Sequence, residues 1–169
     1  SGYSVIAEKN DDVTNGVSTL DLVMIQRHIL GLQTLDSPYK LIAADVNNDG
    51  KLKSSDLLTL RKVILGVNTQ FPNGQKSWRF VPKNTIFSDA TDPFPFNEEI
   101  NIGDLQYASL NNDMMSIKIG DVNGNVVANL SSDSQVKKRA DKNMSFVIED
   151  AKAEDGIVSI PVYAEGIKT

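Results

Sequence analysis

The run "ADVNNDGKLKSSDLLTLRKVILG", residues 44–66, sets Asp45, Asn47 and Asp49 at alternate positions. Gly50 and Lys51 follow, and Asp56 stands where an apolar, helix-like pattern begins. Counted from Asp45, these residues occupy positions 1, 3, 5, 6, 7 and 12 of a twelve-residue calcium loop. The chemistry accounts for the spacing, because a hard divalent cation takes about six to eight oxygens at roughly 2.4 Å and alternate loop positions turn inward around it. Gly50 allows the sharp turn, the Lys51 carbonyl adds a main-chain oxygen, Leu52 anchors the loop to the core, and Asp56 closes the shell from the helix. Position 12 is Asp rather than the usual Glu. The alternative is a solvated polar turn capped by Asp56, which requires every one of these placements to coincide by chance.

The loop and helix are duplicated. Asp21-Leu22 recurs 35 residues later as Asp56-Leu57, and Ile29-Leu30-Gly31 recurs as Ile64-Leu65-Gly66. Mapping the EF-hand-type loop back by that offset puts the first repeat's ligands at Asn10, Asp12, Thr14, the Gly16 carbonyl and Asp21. Two of these are carboxylates, against three in the second loop, so the first loop is either a weaker calcium site or a structural turn. Its position 6 is Asn15, which tolerates a left-handed backbone better than most residues. A third fragment, Asp121-Val122-Asn123-Gly124-Asn125, repeats the opening of the loop, with candidate ligands Asp121, Asn123 and Asn125. It has Val126 where glycine belongs and no helix after it, leaving a calcium site or a simple turn.

Each loop needs a helix to hold it. Leu22, Ile25, Ile29 and Leu30 fall on one face, and Leu57, Leu60, Ile64 and Leu65 repeat that spacing, so the two helices can bury their stripes against each other. Ser18 or Thr19, and Ser54 or Ser55, supply N-caps, while Gly31 and Gly66 supply the left-handed C-terminal residue. Ser37 before Pro38 predicts a short connecting helix in "DSPYKLIAA".

The 169 residues are 40% hydrophobic and 23% charged, enough for one ordinary core or for a small module with part of a neighbour. The absence of cysteine removes disulfides, thiolate nucleophiles and zinc-thiolate sites together. A net charge of -5 disfavours a nucleic-acid binder, which needs a basic face, and suits divalent cations. No apolar run approaches the roughly 18 to 20 residues that cross a bilayer.

The organisation predicted is residues 1–9 as the end of a preceding β domain, 10–68 as the loop–helix pair and 69–128 as an aromatic-rich, short-strand extension packed on it. Residues 129–143 form a polar linker, and 144–169 the first strands of a following β-sandwich, with a hairpin around Asp155-Gly156. One weak helix is predicted near "GDLQYASL". The fold class is α+β: a duplicated calcium loop–helix pair with its extension, flanked by β-strands of neighbouring sandwich domains.

This duplicated arrangement, with "DVNNDGKLKSSDLLTLRKVILG" as the better copy, resembles the type I dockerin module over about residues 10 to 66. The wider string, with "NDDVTNGVSTLDLVMIQRHILGL", "SPYKLIAADVNNDG", "SWRFV" and "KIGDVNGN", is similar to a dockerin-like variant in very large secreted surface proteins of Bacteroidetes-type bacteria. "SFVIEDAKAEDGIVSIPVYAEG" resembles the opening of a cohesin-like or immunoglobulin-like sandwich. The resemblance implies calcium as cofactor, an extracellular or cell-surface location, and a cohesin-like partner met by positions that fall here on Thr19, Leu20, Gln26 and Arg27, and on Ser54, Ser55, Arg61 and Lys62. These two faces are not equivalent, and Arg61 and Lys62 are open to the reading of an ordinary solvated face.

No enzyme is expected. His28 sits mid-helix in a structural role, no nucleophile elbow is present, and Glu98 and Glu99, being adjacent on a strand, point to opposite faces. Trp78, Phe80, Phe94 and Phe96 either seal the helix pair or form a sugar-stacking platform, with the seal preferred. Two functions remain: a calcium-stabilised structural or adhesive segment acting as a rigid joint between β-sandwich domains, and a docking module for a cohesin-like domain. The joint is preferred here, because strand-like sequence abuts the helix pair on both sides.

Overall fold

The computed structural model describes residues 3–103 and 112–127, with strands at 145–148, 152–154, 157–159 and 162–165. The chain divides into two compact units, Ser1–Val127 and Ala128–Thr169.

The first unit is built on two repeat-related helices, α1 (Thr19–Ile29) and α3 (Ser54–Ile64). Each starts on an aspartate in its first turn. Ser18 caps α1, and both its amide and its hydroxyl donate to Oδ2 of Asp21, at 2.9 and 2.8 Å. In α3 the cap is Lys53, not Ser54 or Ser55: the Lys53 amide donates to Oδ2 of Asp56 at 2.9 Å, the half of a capping box in which the third helical residue's side chain reaches back to the cap amide. Both helices end as the sequence predicts. Gly31 and Gly66 take φ of +67° and +69°, and the amides of Leu32 and Val67 turn back to the carbonyls of Arg27 and Lys62.

The inner faces of α1 and α3 meet through Ile25, Leu60 and Val63, all fully buried, with Leu22, Ile29, Leu57 and Ile64 partly buried around them. Leu30 and Leu65 do not join this stripe. They are the C-cap residues, where the chain leaves the helix, and they remain 61% and 69% exposed.

Between the two helices Ser37 caps α2 (Pro38–Ala44), which buries Leu41, Ile42, Ala43 and Ala44 in succession. A helix this short is held by its burial rather than by its own propensity. It delivers Asp45 directly from the core into the second loop.

The extension supplies the rest of the core. Strands β2 (Trp78–Pro82) and β4 (Met114–Lys118) pair antiparallel with Trp78 opposite Lys118 and Pro82 opposite Met114. Phe71, Val81, Ile117, Ile119 and Val122 share one apolar cluster with Ile25, Ile42 and Leu60. The chain beyond β4 is tied to α2 by the Gly120 amide on the Ala43 carbonyl (2.8 Å) and to the residue preceding β2 by the Ile119 amide on the Ser77 carbonyl (3.0 Å). Strand β1 (Tyr3–Ile6), read from sequence as the end of a preceding domain, pairs antiparallel with β3 (Glu99–Ile102) of this same unit, Tyr3 opposite Ile102.

In the second unit β5 (Ser145–Ile148) pairs with β8 (Val162–Glu165), and β6 (Lys152–Glu154) pairs with β7 (Ile157–Ser159), both antiparallel. The β6–β7 pair brackets Asp155-Gly156, as the turn signal predicts. The linker assigned to 129–143 lies outside the described residues, as does nearly all of the helix predicted at "GDLQYASL".

Candidate metal centre

The second loop closes on itself through its own carboxylates. Asp45 accepts the Asp49 amide on Oδ1 at 3.1 Å and the Gly50 amide on Oδ2 at 2.9 Å. Asn47 Oδ1 accepts the Asp49 amide at 3.0 Å, and the Asn47 amide donates to Oδ1 of Asp56 at 3.1 Å. Gly50 has φ of +73°, a conformation few side chains tolerate, which is why glycine stands at that turn. The spacing read from the sequence therefore brings Asp45, Asn47, Asp49 and Asp56 around one small volume.

Asp45 and Asp56 are buried, 2% and 0% exposed. Burial pushes both carboxyls above their ordinary value, partly opposed by the loop amides. The negative charge of Asp49 raises both further, and that of Asp45 adds to the rise at Asp56. This is the electrostatic condition that a divalent cation relieves. Among the described residues no three Asp, Glu or His side chains converge tightly enough to hold a metal by themselves, so an ion here would need amide and main-chain oxygens to complete its shell.

Sequence reasoning missed the braces around this loop. Gln75 Nε2 donates to the Asp45 carbonyl at 3.1 Å within the core, and Asn73 Nδ2 donates to the Asn47 carbonyl at 2.7 Å. Arg79 donates to Asn48 Oδ1 and to Gln75 Oε1, both at 3.0 Å, while pairing bidentately with Glu98 at 2.6 and 2.7 Å. Only their position within an otherwise aromatic stretch could have marked these polar side chains.

The first repeat is arranged differently. Asn10 Oδ1 accepts the Ser77 amide at 2.9 Å, and Asp12 and Thr14 are exposed. The Lys118 ammonium donates to the Val13 carbonyl at 2.9 Å. Burial lowers its pKa to about 8 against the pull of Asp12, Asp121 and Asp11. Asp21, by contrast, is fully buried, and its Oδ1 accepts the amides of Val122 and Asn123 at 2.9 and 3.1 Å. The structure thus joins Asp21 to the third fragment rather than to Asn10, Asp12 and Thr14.

The helix positions assigned to a partner, Thr19, Leu20, Gln26, Arg27, Ser54, Ser55, Arg61 and Lys62, are all exposed. Residues 10–65 match the family model of the dockerin type I domain. No curated protein and no solved structure matches the chain. Dockerin type I domains bind calcium through EF-hand-like loops, and calcium is the cofactor of this dockerin-like module. The second loop fits that ion: its donors are hard oxygens, two of its carboxylates are buried and raised, and a glycine sits at the turn.

Dockerin type I domains are non-catalytic docking modules. The other chemically suggestive residues here have structural partners. His28 Nδ1 accepts the Leu35 amide at 3.1 Å, Glu98 is held by Arg79, and Glu99 accepts the Ser4 hydroxyl at 2.8 Å. Trp78 is buried, and Phe94 and Phe96 pack against the core, with Arg79 stacked over Phe96 at 4.7 Å.

Proposed function

We propose that residues 10–65 form a calcium-dependent docking module and that the outer faces of α1 and α3 receive a cohesin-like β-sandwich domain. The observation that carries this reading is a set of exposed apolar side chains at repeat-related positions. Val23 and Leu58 are 49% and 54% exposed, and Leu30 and Leu65 more so, on helices whose opposite faces are fully committed to the core. Leu20 extends the patch on α1, where the second repeat has Ser55. Apolar groups held outward on rigid helices beside the basic side chains Arg27, Arg61 and Lys62 suit a partner with apolar and acidic surface.

The family match supports docking better than the joint between sandwich domains. Dockerin modules occur in extracellular and cell-surface proteins, which makes that setting the one proposed here. Among the described residues no helix is long and apolar enough to cross a membrane. The unequal pairs Leu20 and Ser55, and Gln26 and Arg61, favour a single docking orientation over two equivalent ones.

Binding of the chain to a panel of immobilised cohesin domains in millimolar calcium tests the proposal. Val23→Asp or Leu58→Asp should weaken capture by about tenfold or more, as a charge in a desolvated patch does, with melting unchanged. Absence of binding to every cohesin, or indifference to both substitutions, would refute it.

A further inference from the structure

We propose that the first calcium site of this module is composite: Asp121, Asn123 and Asn125, at the far end of the extension, supply the loop, and Asp21 on α1 closes it. The inference rests on the reading that the module binds calcium, and it concerns which residues hold the second ion.

The argument is a bond-by-bond equivalence inside one molecule. In the second loop the amides of Asp49 and Gly50 reach the two oxygens of Asp45, and in the third fragment the amides of Asn125 and Val126 reach the two oxygens of Asp121, at 3.3 and 2.9 Å. Asn47 Oδ1 accepts the Asp49 amide at 3.0 Å, and Asn123 Oδ1 accepts the Asn125 amide at 3.0 Å. The Asn47 amide donates to Asp56 Oδ1 at 3.1 Å, and the Asn123 amide donates to Asp21 Oδ1 at 3.1 Å. Lys53 and Ser18 complete the match, each giving its amide to Oδ2 of the closing aspartate at 2.9 Å. Asp121 thus takes the place of Asp45, Asn123 of Asn47, Asn125 of Asp49 and Asp21 of Asp56, although the chain is broken between the halves.

Further features fit the same arrangement. Gly16 sits where the two halves cross, and a Cβ there would stand 2.8 Å from Asp121 Oδ2 and 2.7 Å from the Val126 Cα, so only glycine admits the approach. Asp21 and Asp121 are 0% and 7% exposed, a pair of carboxylates withdrawn from water. Asn15 clasps the crossing, its amide nitrogen donating to the Val127 carbonyl at 2.8 Å. Asn10, which the offset names as position 1 of the first loop, is meanwhile occupied by the Ser77 amide, and the Lys118 ammonium lies against the Val13 carbonyl.

Asp49 and Asn125 hold the same position, so the composite site has one carboxylate fewer, and calcium affinity follows ligand charge. This gives a test by gain as well as by loss. Calcium titration of the full chain by calorimetry should resolve two ions. Asn125→Asp should tighten the weaker one by about tenfold, and Asp121→Asn should abolish it while leaving the tighter one. Asp12→Ala should leave both in place. Loss of the weaker ion in Asp12→Ala, or no tightening in Asn125→Asp, would overturn the composite site. One ion only, sensitive to Asp45→Ala and to none of the other changes, would also overturn it while leaving the calcium module intact. Failure to bind any calcium would overturn both.

Discussion

The main-chain amide of Val122 donates to Oδ1 of Asp21 at 2.9 Å, joining residues 101 positions apart. A helix in the first repeat is thereby finished by the far end of the extension, well beyond the stretch that matches the dockerin model. The folded unit is larger than its duplicated core, and that long-range contact ties the far end of the extension to the first turn of α1.

Removing calcium is expected to loosen the α1–α3 pair. Asp45 and Asp56 are buried and mutually repelling, and an ion present at a hundred times its dissociation constant adds about 2.7 kcal/mol of stability. Thermal unfolding in calcium and in excess chelator should therefore differ by several degrees. Asp45→Ala, measured in calcium, should reproduce most of that loss, and Asn10→Ala much less. Equal melting temperatures with and without calcium would contradict the metal reading of the second loop.

The pH dependence should change sign with calcium. Asp45 and Asp56 have folded values raised above the ordinary 3.8, so without calcium the folded chain binds more protons than the unfolded one across that interval. Their contribution then falls as pH rises through it and levels off above. With calcium the ligands must be ionised, so the ion's contribution is lost as pH falls through the same range. Melting curves from about pH 3.5 to 7 in metal-free and calcium buffers, compared between wild type and Asp56→Asn, read both slopes.

The braces on the second loop are expected to tune its affinity without supplying ligands. Gln75→Ala removes the donor to the Asp45 carbonyl, and Asn73→Ala the donor to the Asn47 carbonyl. Each should weaken calcium binding by about tenfold or more, the usual effect of outer partners. Calorimetry should show unchanged stoichiometry, and unchanged affinity in both variants would remove the bracing role.

Ending the chain at Gln70 should cost the module its robust fold. Phe71, Val81, Ile117, Ile119 and Val122 would leave the core, at about 1.5 to 3 kcal/mol each. Urea unfolding of the shortened chain should lose its cooperative transition or shift it sharply downward. A transition equal to that of the full chain would show that the extension is not part of the core.

What the sequence disclosed depended on how local each feature is. The second loop was legible because Asp45 to Asp56 is one contiguous run with every position in register. The helix pair, the short α2 and both terminal glycines followed from spacing and capping chemistry. The link from Asp21 to Val122 and Asn123 was hidden, because a 35-residue offset finds copies in series and cannot find a loop whose halves lie about a hundred residues apart. Val126 in place of glycine concealed it further, since the glycine that lets the two segments approach is Gly16, in the first repeat. Leu30 and Leu65 were placed in the core by spacing alone, but both are cap residues that turn outward, whereas Val63 is fully buried.

The most direct test of the account is calcium-dependent capture of a partner. The full chain is passed over an immobilised cohesin domain in millimolar calcium, then in chelator, then in calcium again. The account expects binding, its loss and its recovery, with Leu58→Asp captured about tenfold or more weakly in calcium. Binding that persists in chelator after bound calcium is shown to have left would contradict the claim that calcium organises the docking surface.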